Sequence, residues 1–318
     1  MSRAFLIGAG ATKAEYRDAP LSKNFFKFVG RQDKELFKAI KDTIEPHISQ
    51  PLQKSNVEDV MIQSYQFAPS VKTSFLESLY IAIYKVLADS TGSNASYINR
   101  YLNREFTRHP TRFKTLLNDR RLNKDDFFMT LNYDLYLDRE VLAVQREIDY
   151  GLNKDFISTK FPPFQLTHEP TFSVYHLHGS LNWETAGNKI NIHGGAIIPR
   201  YIRSGCNLCL IPPGQKELNP ILKLVWATAE KRLSKADELI IIGCSLNPED
   251  TELISIIKKF VDKKGSENIK IIYLSVSSDS PEYPYYKKII GGDFREYRHG
   301  FNINGPPSKL GAIEFIFD

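Results

Sequence analysis

The chain has 318 residues, 42% of them hydrophobic and 25% charged, with a formal net charge of +5 and a pI near 8.8. That length can bury a substantial core, and the composition is that of an ordinary globular protein. Lys and Arg are scattered rather than clustered, which argues against direct nucleic-acid binding, and three cysteines cannot build a disulfide framework.

The opening "MSRAFLIGAG" enters an apolar run almost at once, without the apolar region and cleavage site of a secretory signal. No apolar span approaches the ~20 residues of a membrane helix. A cytoplasmic protein with no membrane association is expected. "AFLIG" (4–8) reads as the first strand. Helical periodicity follows in "DKELFKAIKDTI" (33–44), "NVEDVMIQSYQ" (56–66) and "SFLESLYIAIYKVLAD" (74–89), so a helical insertion is placed at 25–120. Its aromatic residues, Tyr65, Phe67, Phe75, Tyr80 and Tyr84, read as helix packing.

Strands are then expected at "FFMTLN" (127–132), "VYHLHG" (174–179), "CLIPP" (209–213), "ELIIIGCS" (238–245) and "IKIIYLS" (269–275). Helices at 219–235 and 250–264 separate the later ones, and the tail "GAIEFIFD" reads as a last edge strand. Continuous apolar runs such as Leu239 to Ile242 suit strands buried on both faces. Strand alternating with helix predicts an α/β fold: a Rossmann-like, doubly wound parallel sheet with a helical insertion subdomain, in a single domain 1–318.

Four strand exits carry unusual chemistry. In "IGAGATKAE" (7–15), Gly8 and Gly10 are expected to leave backbone N–H groups open to a phosphate. Lys13 stands where a dinucleotide fingerprint wants a third glycine, which disfavours a dehydrogenase, and a ligand-free tight turn is the plain alternative. "TLNYD" puts Asn132 and Asp134 two residues apart where a core strand needs neither. "VYHLHGSLNW" places His176 and His178 on one face of a strand, with no third metal ligand in view; a proton-transferring histidine and a packing histidine are both open. In "IIIGCSLNPED", Gly243 and Ser245 suit phosphate or ribose contact, while Asn247 as N-cap before Pro248 accounts for the following helix start. Cys206 and Cys209 form a lone C-x-x-C and read as small apolar residues, so no metal is expected.

The order "GAGAT", helical insert, "TLNYD", "HLHGS", "ADELIIIGCSLNPED" resembles the SIR2-like family, the sirtuin superfamily, and most of all its bacterial anti-phage defence branch, over roughly residues 4 to 280. The helical insert is not matched. The resemblance implies NAD⁺ bound as substrate at the carboxyl ends of the strands. It implies phosphate contacts from Gly8, Ala9, Gly10 and Thr12, the last in place of the usual serine. Asn132 and Asp134 would then hold the nicotinamide ribose and carboxamide, and His178 would be the catalytic base. Gly243 and Ser245 would touch the phosphates and adenine ribose, Asp250 sits where the defence branch often carries an acid, and Ser275 matches the adenosine end.

Deacylating sirtuins carry a four-cysteine zinc module after the His-Gly motif; this chain has Cys206 and Cys209 alone there. NAD⁺ hydrolysis to nicotinamide and ADP-ribose is therefore expected ahead of protein deacylation or ADP-ribosylation. A non-catalytic NAD⁺- or ADP-ribose-binding module is the third reading. An NADase of the defence branch implies an abortive-infection effector under control, by self-assembly into an oligomer or by a partner such as a HerA-type ATPase or an Argonaute-like protein.

Overall fold

The computed structural model describes residues 1–15, 19–88, 112–144, 148–159, 172–193, 208–211, 219–273, 283–298 and 311–318. Its strands, in chain order, are β1 (Arg3–Ile7), β2 (Phe127–Thr130), β3 (Ile148–Asp149), β4 (Ile157–Thr159), β5 (Phe172–His176), β6 (Gly179–Ala186), β7 (Lys189–Ile192), β8 (Leu208–Leu210), β9 (Glu238–Ile242), β10 (Ile269–Ile272) and β11 (Arg295–Tyr297). Seven of them form one parallel sheet in the order β11-β10-β9-β1-β2-β5-β3.

From β1 the chain winds outward through β2 to β5, then returns to β9 on the other flank and winds outward again through β10 and β11. Right-handed crossovers running in opposite directions put their helices on opposite faces. Accordingly Arg112–Leu117 packs on Tyr136–Val144, while Pro220–Leu233, Thr251–Lys264 and Tyr283–Ile290 pack in sequence. With both faces covered, Leu239 to Ile242 are fully buried, which explains their unbroken apolar run. The fold is thus an α/β, Rossmann-like doubly wound sheet, as expected.

Between β1 and β2 lie the helices Phe25–Gln32, Lys34–Ile44, Val57–Ser64 and Pro69–Ile83. They have a hydrophobic cluster of their own, built on Phe25, Phe26, Ile40, Met61, Phe75 and Leu79, with Phe67, Tyr80 and Tyr84 packed against it. Leu135, Leu181, Leu208 and Leu210 from outside the insertion belong to the same cluster. Residues 89–111 of the expected insertion lie outside the described residues.

Three elements depart from expectation. The stretch at 209–213 does not join the main sheet: β8 pairs with β6 in a second, four-stranded sheet of order β4-β7-β6-β8. The tail is a helix, Ala312–Phe317, not an edge strand. Ile313 and Ile316, one turn apart, are buried, and the terminal carbonyl of Ile316 accepts a hydrogen bond from buried Lys270 Nζ at 2.9 Å. Finally, the helix at 250–264 is capped by Asp250, whose Oδ1 accepts from Leu253 N at 3.3 Å. Asn247 instead closes a turn through Glu249 N at 3.0 Å.

Candidate functional site

Where the strand order reverses, between β1 and β9, a crevice opens at the carboxyl ends of the strands, the usual ligand position of such sheets. Its floor is two turns in contact. Gly8 N–H donates to Ile242 O at 3.0 Å and Gly10 N–H to Gly243 O at 2.9 Å. A Cβ on Gly8 would stand 2.5 Å from Gly243 O, and one on Gly243, whose φ is +59°, would stand 2.3 Å from Ala11 N. Both positions require glycine. The expectation that the Gly8 and Gly10 amides are open to a phosphate is corrected here: the turns approach so closely that both amides are committed to β9 and its loop.

Asn132 follows β2, and every donor it has is used. Its N–H donates to Thr130 Oγ1 (3.1 Å), and its side-chain Nδ2 donates to Gly8 O (3.1 Å) and Thr12 Oγ1 (3.0 Å). The Gly8 carbonyl can only accept, which sets the amide's orientation. Thr12 passes its own hydroxyl hydrogen to Asp134 Oδ2 (3.0 Å), and Asp134 Oδ1 accepts from Tyr136 N (2.9 Å). Asp134 therefore acts on Asn132 through Thr12. Burial raises the Asp134 pKa, against the Tyr136 N–H and Thr12 hydrogen bonds, which lower it. What Asn132 can offer a ligand is Oδ1, an acceptor.

His176 and His178 do not share a strand face. His176 ends β5, and His178 lies in the turn before β6. His178 Nε2 is 2.9 Å from Asp250 Oδ2, so the carboxylate that caps the helix Thr251–Lys264 also orients the imidazole. Burial lowers the His178 pKa, but the Asp250 charge and hydrogen bond, with Glu58 and Glu252 beyond, outweigh it and the net direction is upward. His176 is fully buried and pairs with Asp138 instead.

These groups surround a cavity of about 390 Å³. Gly8, Ala9, Gly10, Thr12, Asn132, Asp134, His178, Gly243, Ser245 and Asp250 line it; Ser275 lies outside the described residues, and His176 is not part of the wall. The wall also contains residues that sequence reasoning did not single out as site residues: Lys23, Glu58, Tyr133, Asn247, Tyr273, Tyr285 and Tyr286. Tyr133, between two named residues, could have been suspected. Glu58 could not, because nothing in the sequence docks the insertion onto the crevice. In the structure Glu58 accepts from Ser22 Oγ at 2.7 Å and from Asn247 Nδ2 at 2.9 Å, tying the insertion to the loop after β9.

Among the described residues no cluster of three or more His, Cys, Asp or Glu could hold a metal ion, and no helix is long and apolar enough to cross a membrane. Cys209 is buried in β8, and burial pushes its thiol up to about 12; Cys206 lies outside the described residues.

No protein-family model matches the chain, and no curated protein matches it. Among solved structures, similar folds are found in sirtuins. One from work on sirtuin substrate affinity is 13% identical, with 98% of this chain and 90% of that chain covered at a TM-score of 0.44. A Sir2 protein bound to a propionylated peptide is 14% identical, with 98% and 89% covered, at 0.41. A third, in complex with an inhibitor, 2′-O-acetyl-ADP-ribose and a deacetylated peptide, is 13% identical, with 98% and 90% covered, at 0.39. At these identities and scores the likeness carries no argument about function.

Proposed function

We propose that this chain is a SIR2-like NAD⁺ glycohydrolase, converting NAD⁺ and water to nicotinamide, ADP-ribose and a proton. One observation carries the reading: an amide with both hydrogens committed and a histidine–carboxylate pair, from separate strand exits, meet in one cavity over a glycine-only floor. Breaking the nicotinamide–ribose bond builds positive charge on the ribose, so the site needs an oriented acceptor and a base. Asn132 Oδ1 is the acceptor, able to hold a water or a ribose hydroxyl, and holding it in place is itself a large part of such catalysis. With Nε2–H directed at Asp250, His178 keeps a lone pair on Nδ1 to take the proton, a role typically worth 10²–10⁴-fold. Ser245 and Lys23 are the hydroxyl and cation available to the diphosphate and adenine ribose.

Constant hydrolysis would exhaust the cell's NAD⁺. We therefore read the chain as a single domain, 1–318 with its insertion at 25–120, held inactive until it self-assembles or meets a partner of the HerA-type ATPase or Argonaute-like kind, in abortive anti-phage defence. The motif order shared with the defence branch supports this reading.

The test is chromatography of the purified protein incubated with NAD⁺, beside His178→Ala and Asn132→Ala. Nicotinamide and ADP-ribose from the parent protein alone establish the reaction and both roles. Acetyl-ADP-ribose made from an acyl-peptide would replace hydrolysis with deacylation. Bound NAD⁺ without turnover would mean a nucleotide-binding module or an enzyme awaiting its partner, and no binding would end the assignment.

A further inference from the structure

The first histidine of "HLHG", His176, is absent from the cavity wall, yet its contacts lead into it. His176 Nδ1 lies 3.3 Å from the backbone carbonyl of Asn132, and Nε2 lies 2.9 Å from Asp138 Oδ2. Tyr150 donates its hydroxyl to Asp138 Oδ1 at 2.7 Å. His176 is fully buried and Asp138 is 2% exposed, with the Tyr150 ring 6.0 Å and the Trp183 ring 5.5 Å from the imidazole.

A carbonyl only accepts, so Nδ1 carries a hydrogen. A neutral imidazole would then point its Nε2 lone pair at a carboxylate lone pair, which repels. The pair must therefore hold one further hydrogen between Nε2 and Asp138. The need for such a device is local. Asn132 sits just past the end of β2, where the ladder no longer fixes it, and side chains hold its backbone on both sides: Thr130 Oγ1 takes its N–H, and His176 serves its C=O.

We propose that His176 is a positioning residue: clamped by Asp138 and Tyr150, it fixes the backbone of Asn132 and so aims the Asn132 amide into the cavity. The proposal rests on Asn132 serving the hydrolysis proposed above, and its test separates the two.

Two replacements divide the ring's functions. His176→Asn keeps a donor near the position of Nδ1, and His176→Gln keeps one near Nε2. In His176→Gln, kcat for NAD⁺ cleavage falls by about tenfold or more while KM stays within about threefold, because the fault is in aim rather than binding; His176→Asn recovers most of the loss. A merely structural histidine would make the two variants fail alike. The Asn132 side-chain amide resonances, followed by ¹H–¹⁵N NMR, supply a readout that needs no turnover: they shift in His176→Gln and return towards the parent position in His176→Asn. If the parent cleaves no NAD⁺ but these resonances respond, positioning stands independently of the hydrolase reading. A folded His176→Gln protein with unchanged kcat and unmoved Asn132 resonances overturns the proposal. Should the His176 variants not fold, Tyr150→Phe removes one oxygen atom and is read the same way, with a smaller shift in the same direction.

Discussion

Asp250 lies 2.9 Å from His178 Nε2 although 72 residues separate the two, and its other oxygen caps the helix Thr251–Lys264. One carboxylate thus serves as a helix start and as the partner of the proposed base, and these functions can be divided by mutation. Asparagine caps as well as aspartate, so at a pH where His178 is neutral Asp250→Asn should leave thermal stability within about 1 kcal/mol of the parent. The same change removes the charge that holds the imidazolium formed when His178 takes its proton. NAD⁺ cleavage should fall by roughly 10²-fold or more with KM little changed. A stable variant with parental kcat would show that the pairing is structural only.

The pH dependence follows from the same pair. His178 has its pKa raised above the ordinary 6.5: burial lowers it, and the Asp250 charge and hydrogen bond, aided by Glu58 and Glu252, more than reverse this. A base works when neutral, so cleavage should climb with pH above 6.5, through the raised pKa. Stability runs the opposite way. A raised native pKa contributes stability that is fully present below the unfolded value and is lost as pH rises through the native one. His176, raised against its own burial by Asp138, adds to the same trend. Activity profiles and melting curves across this range check both signs, and in Asp250→Asn the activity limb should move to lower pH. A limb that stays in place would assign the titration to another group.

Thr12 joins Asp134 to Asn132 within a buried chain of hydrogen bonds. Thr12→Val keeps the shape and deletes the hydroxyl, leaving a buried carboxylate oxygen without its donor, at a cost of about 1–3 kcal/mol. Thr12→Ser retains the hydroxyl and should lose only about 1 kcal/mol, for the missing methyl. Urea unfolding of the two variants, with kcat alongside, separates the contributions. Equal losses in both would mean that packing, not the hydroxyl, matters at this position.

Much of this site was readable because strand exits leave local traces. An apolar run followed by Asn132 and Asp134, by His178, or by Gly243 and Ser245 marks a carboxyl end, and in a parallel sheet all carboxyl ends lie on one side. What stayed hidden depends on neighbours distant in sequence. Gly8 and Gly10 looked like open amides because their acceptors are on β9 and in the loop that follows it. Asn247 looked like the cap because Pro248 follows it, whereas the helix begins only at Thr251, behind Asp250. The strands β4, β7 and β8 are short, and the second sheet exists only through the pairing of β7 and β8 with β6 and of β4 with β7. Alternation suggested a strand for the tail, but burial of Ile313 and Ile316 on one helical face, beside Lys270, decided for a helix.

Gly243 and Gly187 share a backbone conformation, with φ of +59° and +62°, but not surroundings: a Cβ at 187 would meet nothing within 4 Å, whereas one at 243 would press on Ala11 N at 2.3 Å. Gly187→Ala therefore measures the left-handed strain alone, about 1–2 kcal/mol. Gly243→Ala adds the collision that would part the two turns of the crevice floor, for a total of about 3–5 kcal/mol. Because Gly10 N–H donates to Gly243 O, parting the turns should also displace Thr12 and Asn132, so nucleotide binding should weaken in Gly243→Ala and not in Gly187→Ala. Melting curves with and without NAD⁺ measure both effects together. Equal destabilisation of the two variants would show that the floor yields easily, and the close contact of β1 and β9 would then have no part in shaping the site.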